Sequence, residues 1–434
     1  MSLPEQCAKQ GGQVLVLGML LAAAVTLAWV RYFHTGTVVA EKARQDHVLD
    51  AAAYSGALVQ ARSLNMLAYI NRTQIAHQVA IAHLVTLGSW ALFAGTEAGR
   101  VMAANPPAPV VGLHFGAEHA TAYLAAAQAV GLEYRADVHG PMSSAYAEHD
   151  RLARSVLASA ALRVAQNLFT ARNNAMHEIV AANYGDGHAF ELIVDDASPS
   201  FLSAYASNPR LRPMIHEAAD LYGFLDVRDH TARSRFPVDA RCPTWRHELR
   251  RRGRTALDEH GVWQAIDTQS YHAVRSNRWI GCYFREYPMG WGWVPPQTSA
   301  LLDEPYVEES PENFADQDFW RWVREATKWD LTGGGSNALA NSWAYAARPQ
   351  WSGGGLPSYQ GLTSPGNTPT TLFRVQLRQV GKGGLTYTSH SAAEAYFRRP
   401  EPRGDGLLER PNTFHPYWQA RLHTPRLLGF GREQ

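Results

Sequence analysis

The pattern of apolar and polar positions divides the chain before composition is considered. Residues 14–30 (VLVLGMLLAAAVTLAWV) are 17 consecutive positions without a charge, and Thr26 is the one strong hydrogen-bonding side chain among them. As a helix this run spans about 25 Å, and continuing through Tyr32 and Phe33 reaches bilayer thickness. Trp29, Tyr32 and Phe33 supply an interfacial aromatic belt, and Arg31 can snorkel. The pattern predicts a transmembrane anchor over 14–33. A secretory signal peptide, with Thr26-Leu27-Ala28 as its small-residue cleavage site, is the alternative. Charge alone leaves orientation open, because Lys9 is offset by Glu5 on one side and Arg31, Lys42 and Arg44 stand on the other.

The helix continues past the anchor. No proline stands between Pro4 and Pro106, although the chain holds 24, so the strongest helix breaker is absent for a hundred residues. Val48, Ala52, Ser55, Val59, Leu64, Leu67 and Ile70 recur at helical spacing, with Lys42, Arg44, Asp46, Arg62 and Arg72 between them. Ala51, Ala52, Ala53, Gly56 and Ala57 form a small-residue face suited to close helix packing, within this protein or in an assembly.

Further along, 117–182 reads as a second helical region ended by Gly185 and Gly187, 190–194 as a strand, and 209–222 as a helix. Strands are expected over 262–274, 279–287, 371–380 and 385–391, the third alternating as TLFRVQLRQV. A helix is expected at 314–329, with Gly-rich loops at 333–337 and 352–355. Of 13 tryptophans, only Trp29 and Trp90 precede Arg241. The expected order is a tail (1–13), the transmembrane helix (14–33), a helical arm (34–102), a mainly helical domain (113–240) and an aromatic-rich α+β domain (241–434). The fold class is α+β.

Composition narrows the function. A chain of 434 residues that is 46% hydrophobic can bury a sizeable core. Forty Lys and Arg against 39 Asp and Glu leave a net charge of +1, so no global field favours nucleic acid. His177-Glu178, His216-Glu217 and His247-Glu248 lack the second histidine of a zinc-protease helix and read as surface pairs. Gly334 to Ala338 is one glycine short of a nucleophile elbow, and Gly381-Lys382 lacks the first glycine of a phosphate loop. His114 with His119, and His77 with His83, do not share a helix face closely enough to chelate a metal. Arg403-Gly404-Asp405 reads as a solvated turn, and the cluster 249–254 (LRRRGR) as a solvated helix face. No enzyme and no cofactor is expected.

Gly11-Gly12-Gln13 leading into the apolar run, then His34-Thr35-Gly36-Thr37, Glu41-Lys42, Asp50-Ala51-Ala52-Ala53-Tyr54-Ser55, Ala61-Arg62 and Asn65, resembles the amino-terminal region of the TadE/TadG-like Flp (tight-adherence) pilus-assembly family over residues 11–95. The resemblance implies a single-pass bacterial inner-membrane protein with a cytoplasmic amino terminus and a periplasmic body. It would be pseudopilin-like or accessory, meeting other pilus-assembly membrane proteins through the arm and lipid through the anchor. Leu17 stands five residues after Gly12, where type IV pilins carry glutamate, so cleavage between Gly12 and Gln13 is possible but an intact terminus is expected. Chain length also fits an accessory role better than a filament subunit.

Two finer readings follow. Asp196, Ser198 and Ser200 spell D-x-S-x-S after a strand, similar to the first ligand segment of the metal-ion-dependent adhesion site of von Willebrand A-type domains, where a divalent cation would bind. A capped helix-entry turn is the simpler alternative. With Cys7 on the cytoplasmic side, Cys242 and Cys282 are left as a disulfide pair in an oxidising compartment, unpaired buried thiols being the alternative. A different class of function stays open: a periplasmic adhesion or ligand-binding protein, metal-dependent or binding carbohydrate through Trp291, Trp293, Trp320 and Trp322.

Overall fold

The computed structural model describes residues 11–185, 189–196, 201–205, 211–277, 281–294, 349–351, 353–362, 371–381 and 384–423. It is a mixed helix and sheet protein. The first helix, α1, runs unbroken over Gly11–Met102, 92 residues. It ends where the sequence first permits a break, with Ala104 at φ 51° ahead of Asn105-Pro106. Helices α2 (Ala108–Phe115), α3 (Ala117–Ala125), α4 (Pro141–Arg151) and α5 (Ala158–Tyr184) follow, with a π-helical turn at Leu152–Leu157 between the last two. Pro107 and Pro141 stand at helix starts, where a missing amide hydrogen costs nothing. Helix α6 spans Leu211–Asp220, buries Leu211, Ile215 and Ala219 at i, i+4 and i+8, and lies within the expected 209–222.

Ten strands are described: β1 (Phe190–Asp196), β2 (Leu202–Tyr205), β3 (His230–Arg233), β4 (Glu248–Leu257), β5 (Trp263–Asn277), β6 (Gly281–Val294), β7 (Tyr359–Leu362), β8 (Leu372–Val380), β9 (Thr386–Phe397) and β10 (Trp418–His423). The strands expected over 190–194, 262–274, 279–287, 371–380 and 385–391 correspond to β1, β5, β6, β8 and β9. The helix expected at 314–329 and the loop at 333–337 lie outside the described residues. One expectation is overturned. LRRRGR belongs to strand β4, not to a solvated helix face: Arg250 is paired with Glu248 two residues away on the same strand, and Arg251 lies over Phe93 of α1.

Compactness divides the chain differently from composition. One unit gathers residues 1–68, 164–203 and 362–434; the other gathers 69–163 and 204–361. In the first unit, antiparallel strands in the order β1-β8-β9-β10 form a four-stranded sheet. Val48, Leu49, Ala52, Ala53 and Ala57 of α1, with Met176, Val180 and Tyr184 of α5, share a core with Phe373, Val375, Leu377 and Ala393 of that sheet. The alternating burial of β8 places these sheet side chains on one face. In the second unit, antiparallel strands β3-β4-β5-β6 form the sheet, and Val111, Phe115 and Tyr123 pack with Leu249, Tyr271, Ala273 and Met289. Close approach is set by Gly292 of β6: a Cβ there would lie 2.1 Å from the Ser89 carbonyl oxygen of α1.

Cys242 and Cys282 are bonded, with Cα atoms 6.0 Å apart. Val274 and Phe284 cover the bridge within the second unit.

Candidate functional site

Two surfaces of α1 differ in kind within the first unit. Residues 13–40 are exposed along their whole length, and burial begins at Gln45. An 18-residue window in this helix has mean hydropathy 2.2 with none of it buried. One long apolar helix of this kind fits a single-pass membrane protein. Inside it, the hydroxyl of Thr26 donates to the Ala22 carbonyl at 2.8 Å, so its polar group is satisfied by the helix itself.

From Lys42 onward α1 docks through a polar seam. Lys42 Nζ donates to Asp46 Oδ1 (2.7 Å), the Thr388 carbonyl (2.7 Å) and Ser389 Oγ (2.6 Å). Gln45 Nε2 donates to the carbonyls of Tyr387 (3.2 Å) and Leu377 (3.4 Å), while its oxygen accepts from Ser389 Oγ at 2.8 Å. Ser391 Oγ donates to Asp50 Oδ1 at 2.6 Å, and Gln60 Nε2 to the Thr371 carbonyl at 3.2 Å. Backbone groups of β8 and β9 thus find side-chain partners on α1, which fixes the helix in register on the sheet.

The small-residue face is filled by the chain itself. Ala52, Ala53, Gly56 and Ala57 are buried, and a Cβ on Gly56 would lie 2.8 Å from Met176 Cγ of α5; Ala51 is exposed. Of the two uses expected for this face, packing within the protein is the one observed. These four buried residues are not open to another subunit.

Asp196 closes β1, and its Oδ2 lies 2.9 Å from the Arg172 guanidinium of α5, whose side chain is 1% exposed. Arg172 also donates to Asn173 Oδ1 at 3.1 and 3.0 Å and stacks over Phe373 at 4.4 Å. A cation at Asp196 would compete with this guanidinium. Ser198 and Ser200 lie outside the described residues. Among the described residues no group of three or more His, Cys, Asp and Glu side chains converges on a metal position.

The second unit holds the buried charges that sequence reading missed. Asp267 of β5 is fully buried, accepting from Arg228 Nε (2.8 Å) and Nη2 (3.0 Å) and from Ser89 Oγ (2.9 Å). Burial pushes its carboxyl up, and the hydrogen bonds and charge of Arg228 pull it back. Burial also pushes the carboxyl of Glu97 up to about 7, against the charge of Arg251 and a 2.9 Å hydrogen bond from Gln269. Arg251 in turn stacks over Phe93 at 4.4 Å.

The opposite face of β5 carries a second cluster. Glu248, His272 and Glu286 stand opposite one another across β4, β5 and β6, beside Arg250 and Ser270, and all five are buried. Ser270 Oγ lies 3.0 Å from His272 Nε2, which suggests a nucleophile and base. Glu286, however, approaches the same nitrogen at 3.7 Å. A relay needs the acid and the nucleophile on different imidazole nitrogens, so the cluster lacks the geometry of a triad. Arg250 Nε donates to Glu248 Oε2 at 2.8 Å, completing a buried ion pair.

The histidine pairs expected at the surface sort differently. His177 and Glu178 are exposed, but His247 is half-buried and Glu248 is buried, because Glu248 opens β4 and His247 immediately precedes it. His247 Nδ1 accepts from the Val274 amide at 2.8 Å, and its ring centroid lies 4.6 Å from that of His114. Burial, then the charges of His114 and Arg275, push His247 down to about 4. His77 meets His149 (Nδ1 to Nδ1 2.7 Å). These meetings join residues more than seventy positions apart, so no local spacing announces them. Arg403 pairs with Asp405 in an exposed turn. Trp291 and Trp293 are buried, while Trp320 and Trp322 lie outside the described residues.

Compared with known proteins, the chain matches no family model, no curated protein and no solved structure.

Proposed function

We propose that this chain is a non-catalytic, membrane-anchored component of a Tad/Flp-type pilus-assembly or secretion machine, single-pass in the bacterial inner membrane with its body in the periplasm. The observation that carries the reading is the change of character along one unbroken helix: exposed over 13–40 with the uncharged apolar run 14–30 inside it, then locked by Lys42, Gln45, Asp50 and Gln60 onto an antiparallel sheet. A helix built this way transmits the position of the membrane directly to the body. The resemblance over residues 11–95 supplies the machine. Cys242 bonded to Cys282 supports an oxidising compartment for the body. The adhesion reading is weaker, since Asp196 is held by Arg172 and Trp291 and Trp293 are buried.

The test is purification of the tagged full chain from detergent-solubilised membranes after carbonate washing. Pilus-assembly membrane proteins should co-purify, and an in-frame deletion should abolish the surface filament or the secreted activity. Release by carbonate, or filaments unchanged in the deletion strain, overturns the proposal. Intact mass of the same sample reads the amino terminus: an uncut chain is expected, and a chain beginning at Gln13 would make it a processed pseudopilin.

A further inference from the structure

The register between α1 and the sheet fixes the height of the β8–β9 hairpin above the bilayer. Gln45 bonds the carbonyls of Leu377 and Tyr387, and Gln60 bonds that of Thr371. Six strand residues from Leu377 back to Thr371 cover about 20 Å at 3.3 Å each. The fifteen helix residues from Gln45 to Gln60 cover about 22 Å at 1.5 Å each. Strand and helix therefore advance together, nearly parallel.

The same arithmetic runs the other way. Val380 lies three residues beyond Leu377, about 10 Å, which on α1 reaches back about seven residues to Val38. Leu385 lies two residues before Tyr387, about 7 Å, which reaches Ala40 or Glu41. These are the last positions of the exposed stretch of α1 before burial begins. Residues 14–33 as helix span about 30 Å, the hydrocarbon core of a bilayer, and Val38 stands about 7 Å beyond its end, at the outer edge of the headgroup layer.

Among the described residues, the end of this hairpin presents two aliphatic side chains. Val380 is 62% exposed and Leu385 54%, on a turn closed by the Gly381 amide donating to the Leu385 carbonyl at 2.8 Å. Tyr387 lies against Gly381, where an added Cβ would meet its ring at 2.4 Å. Two exposed aliphatic side chains beside a tyrosine match the composition of a membrane interface. The nearest cation on α1, Lys42, is already bound to Asp46, Thr388 and Ser389.

We infer that the β8–β9 hairpin is a second membrane contact, with Val380 and Leu385 seated in the headgroup layer of a phospholipid bilayer. This rests on the reading of 14–33 as the membrane-spanning segment. The anchor alone leaves the body free to swivel and tilt at the surface; a second contact to one side of the helix axis restrains the tilt.

The experiment uses the full chain in phospholipid nanodiscs, with Cys7 replaced by Ser, the native disulfide kept, and an environment-sensitive fluorophore on a single new cysteine. The positions are Leu385→Cys and Val380→Cys, with Leu20→Cys inside the anchor and Leu408→Cys, 97% exposed in the same unit, as references. Nitroxide lipids labelled near the headgroup should quench the probes at 380 and 385 severalfold more than the probe at 408. Leu20→Cys quenched while 385 and 380 behave like 408 overturns the hairpin contact and leaves the anchor standing. Leu20→Cys unquenched overturns both.

Discussion

The side-chain amide of Asn65 embraces the backbone of Trp418: its Nδ2 donates to the Trp418 carbonyl at 3.0 Å, and its Oδ1 accepts from the Trp418 amide at 3.0 Å. Asn65 thereby does for the start of β10 what a neighbouring strand would do. It satisfies a donor and an acceptor that have no ladder partner on that side. Asn65→Ala should destabilise the first unit by about 1 to 3 kcal/mol, since both backbone groups are left unpaired where water enters poorly. Chemical denaturation of the full chain in detergent checks this, and an unchanged midpoint would show the pair to be idle.

Asp196 separates a structural carboxylate from a metal ligand. Its loss leaves the buried Arg172 guanidinium without its ion-pair partner, so Asp196→Ala should cost about 3 kcal/mol and Asp196→Asn less. Magnesium or calcium should raise the thermal midpoint of neither the parent nor the variant. A cation-dependent rise confined to the parent would restore the metal-site reading.

Two groups in the second unit respond to pH with opposite sign. His247, pushed down to about 4, resists protonation when folded, so its contribution is complete above the ordinary imidazole range near pH 6.5 and is lost as pH falls toward 4. Glu97, pushed up to about 7, resists ionisation when folded, so its contribution is complete below about pH 4.5 and is lost as pH rises through 7. Glu97→Gln should therefore stabilise the protein at pH 8 by up to about 3 kcal/mol and change little at pH 5. Melting curves at the two pH values decide the matter, and equal shifts at both would refute it.

Reduction of the Cys242–Cys282 bridge opens a loop of 40 residues. In the chain-entropy model this removes about 4 kcal/mol of stabilisation. Thiol labelling of the unfolded, non-reduced chain should modify one of three cysteines, and the double serine variant should melt lower. Three labelled thiols would show the bridge to be absent in the cell.

How far these features were legible depends on the distance over which they are made. The unbroken α1 is written locally, as an apolar run and a proline-free stretch, and β8 in the alternation of TLFRVQLRQV. Strand β4 was hidden because Arg250, Arg251 and Arg252 suggest solvent. Arg250 is neutralised by Glu248 two residues away on the same face, and Arg251 lies over Phe93. The Glu-x-Arg spacing was the available signal. The ion pair of Arg172 with Asp196 and the seam of Gln45, Asp50 and Gln60 were not legible, since nothing near those residues names a partner hundreds of positions away or on another element. The role of the small-residue face was half legible: its spacing predicts close packing, and the choice between own chain and partner lies in Met176, Phe373 and Ala393.

The interleaving of the first unit bears on the order of its making. Leu49 and Ala53 leave the ribosome early, whereas their neighbours Phe373 and Val375 follow more than three hundred residues later. At 5 to 20 residues per second that is a wait of roughly 15 to 65 s. During the wait this stretch of α1 stands with its permanent cover not yet synthesised. A nascent chain of this design depends on a temporary cover for the buried face of α1, and a ribosome stalled before β8 would leave that face exposed on a sticky, proteolysis-prone stub.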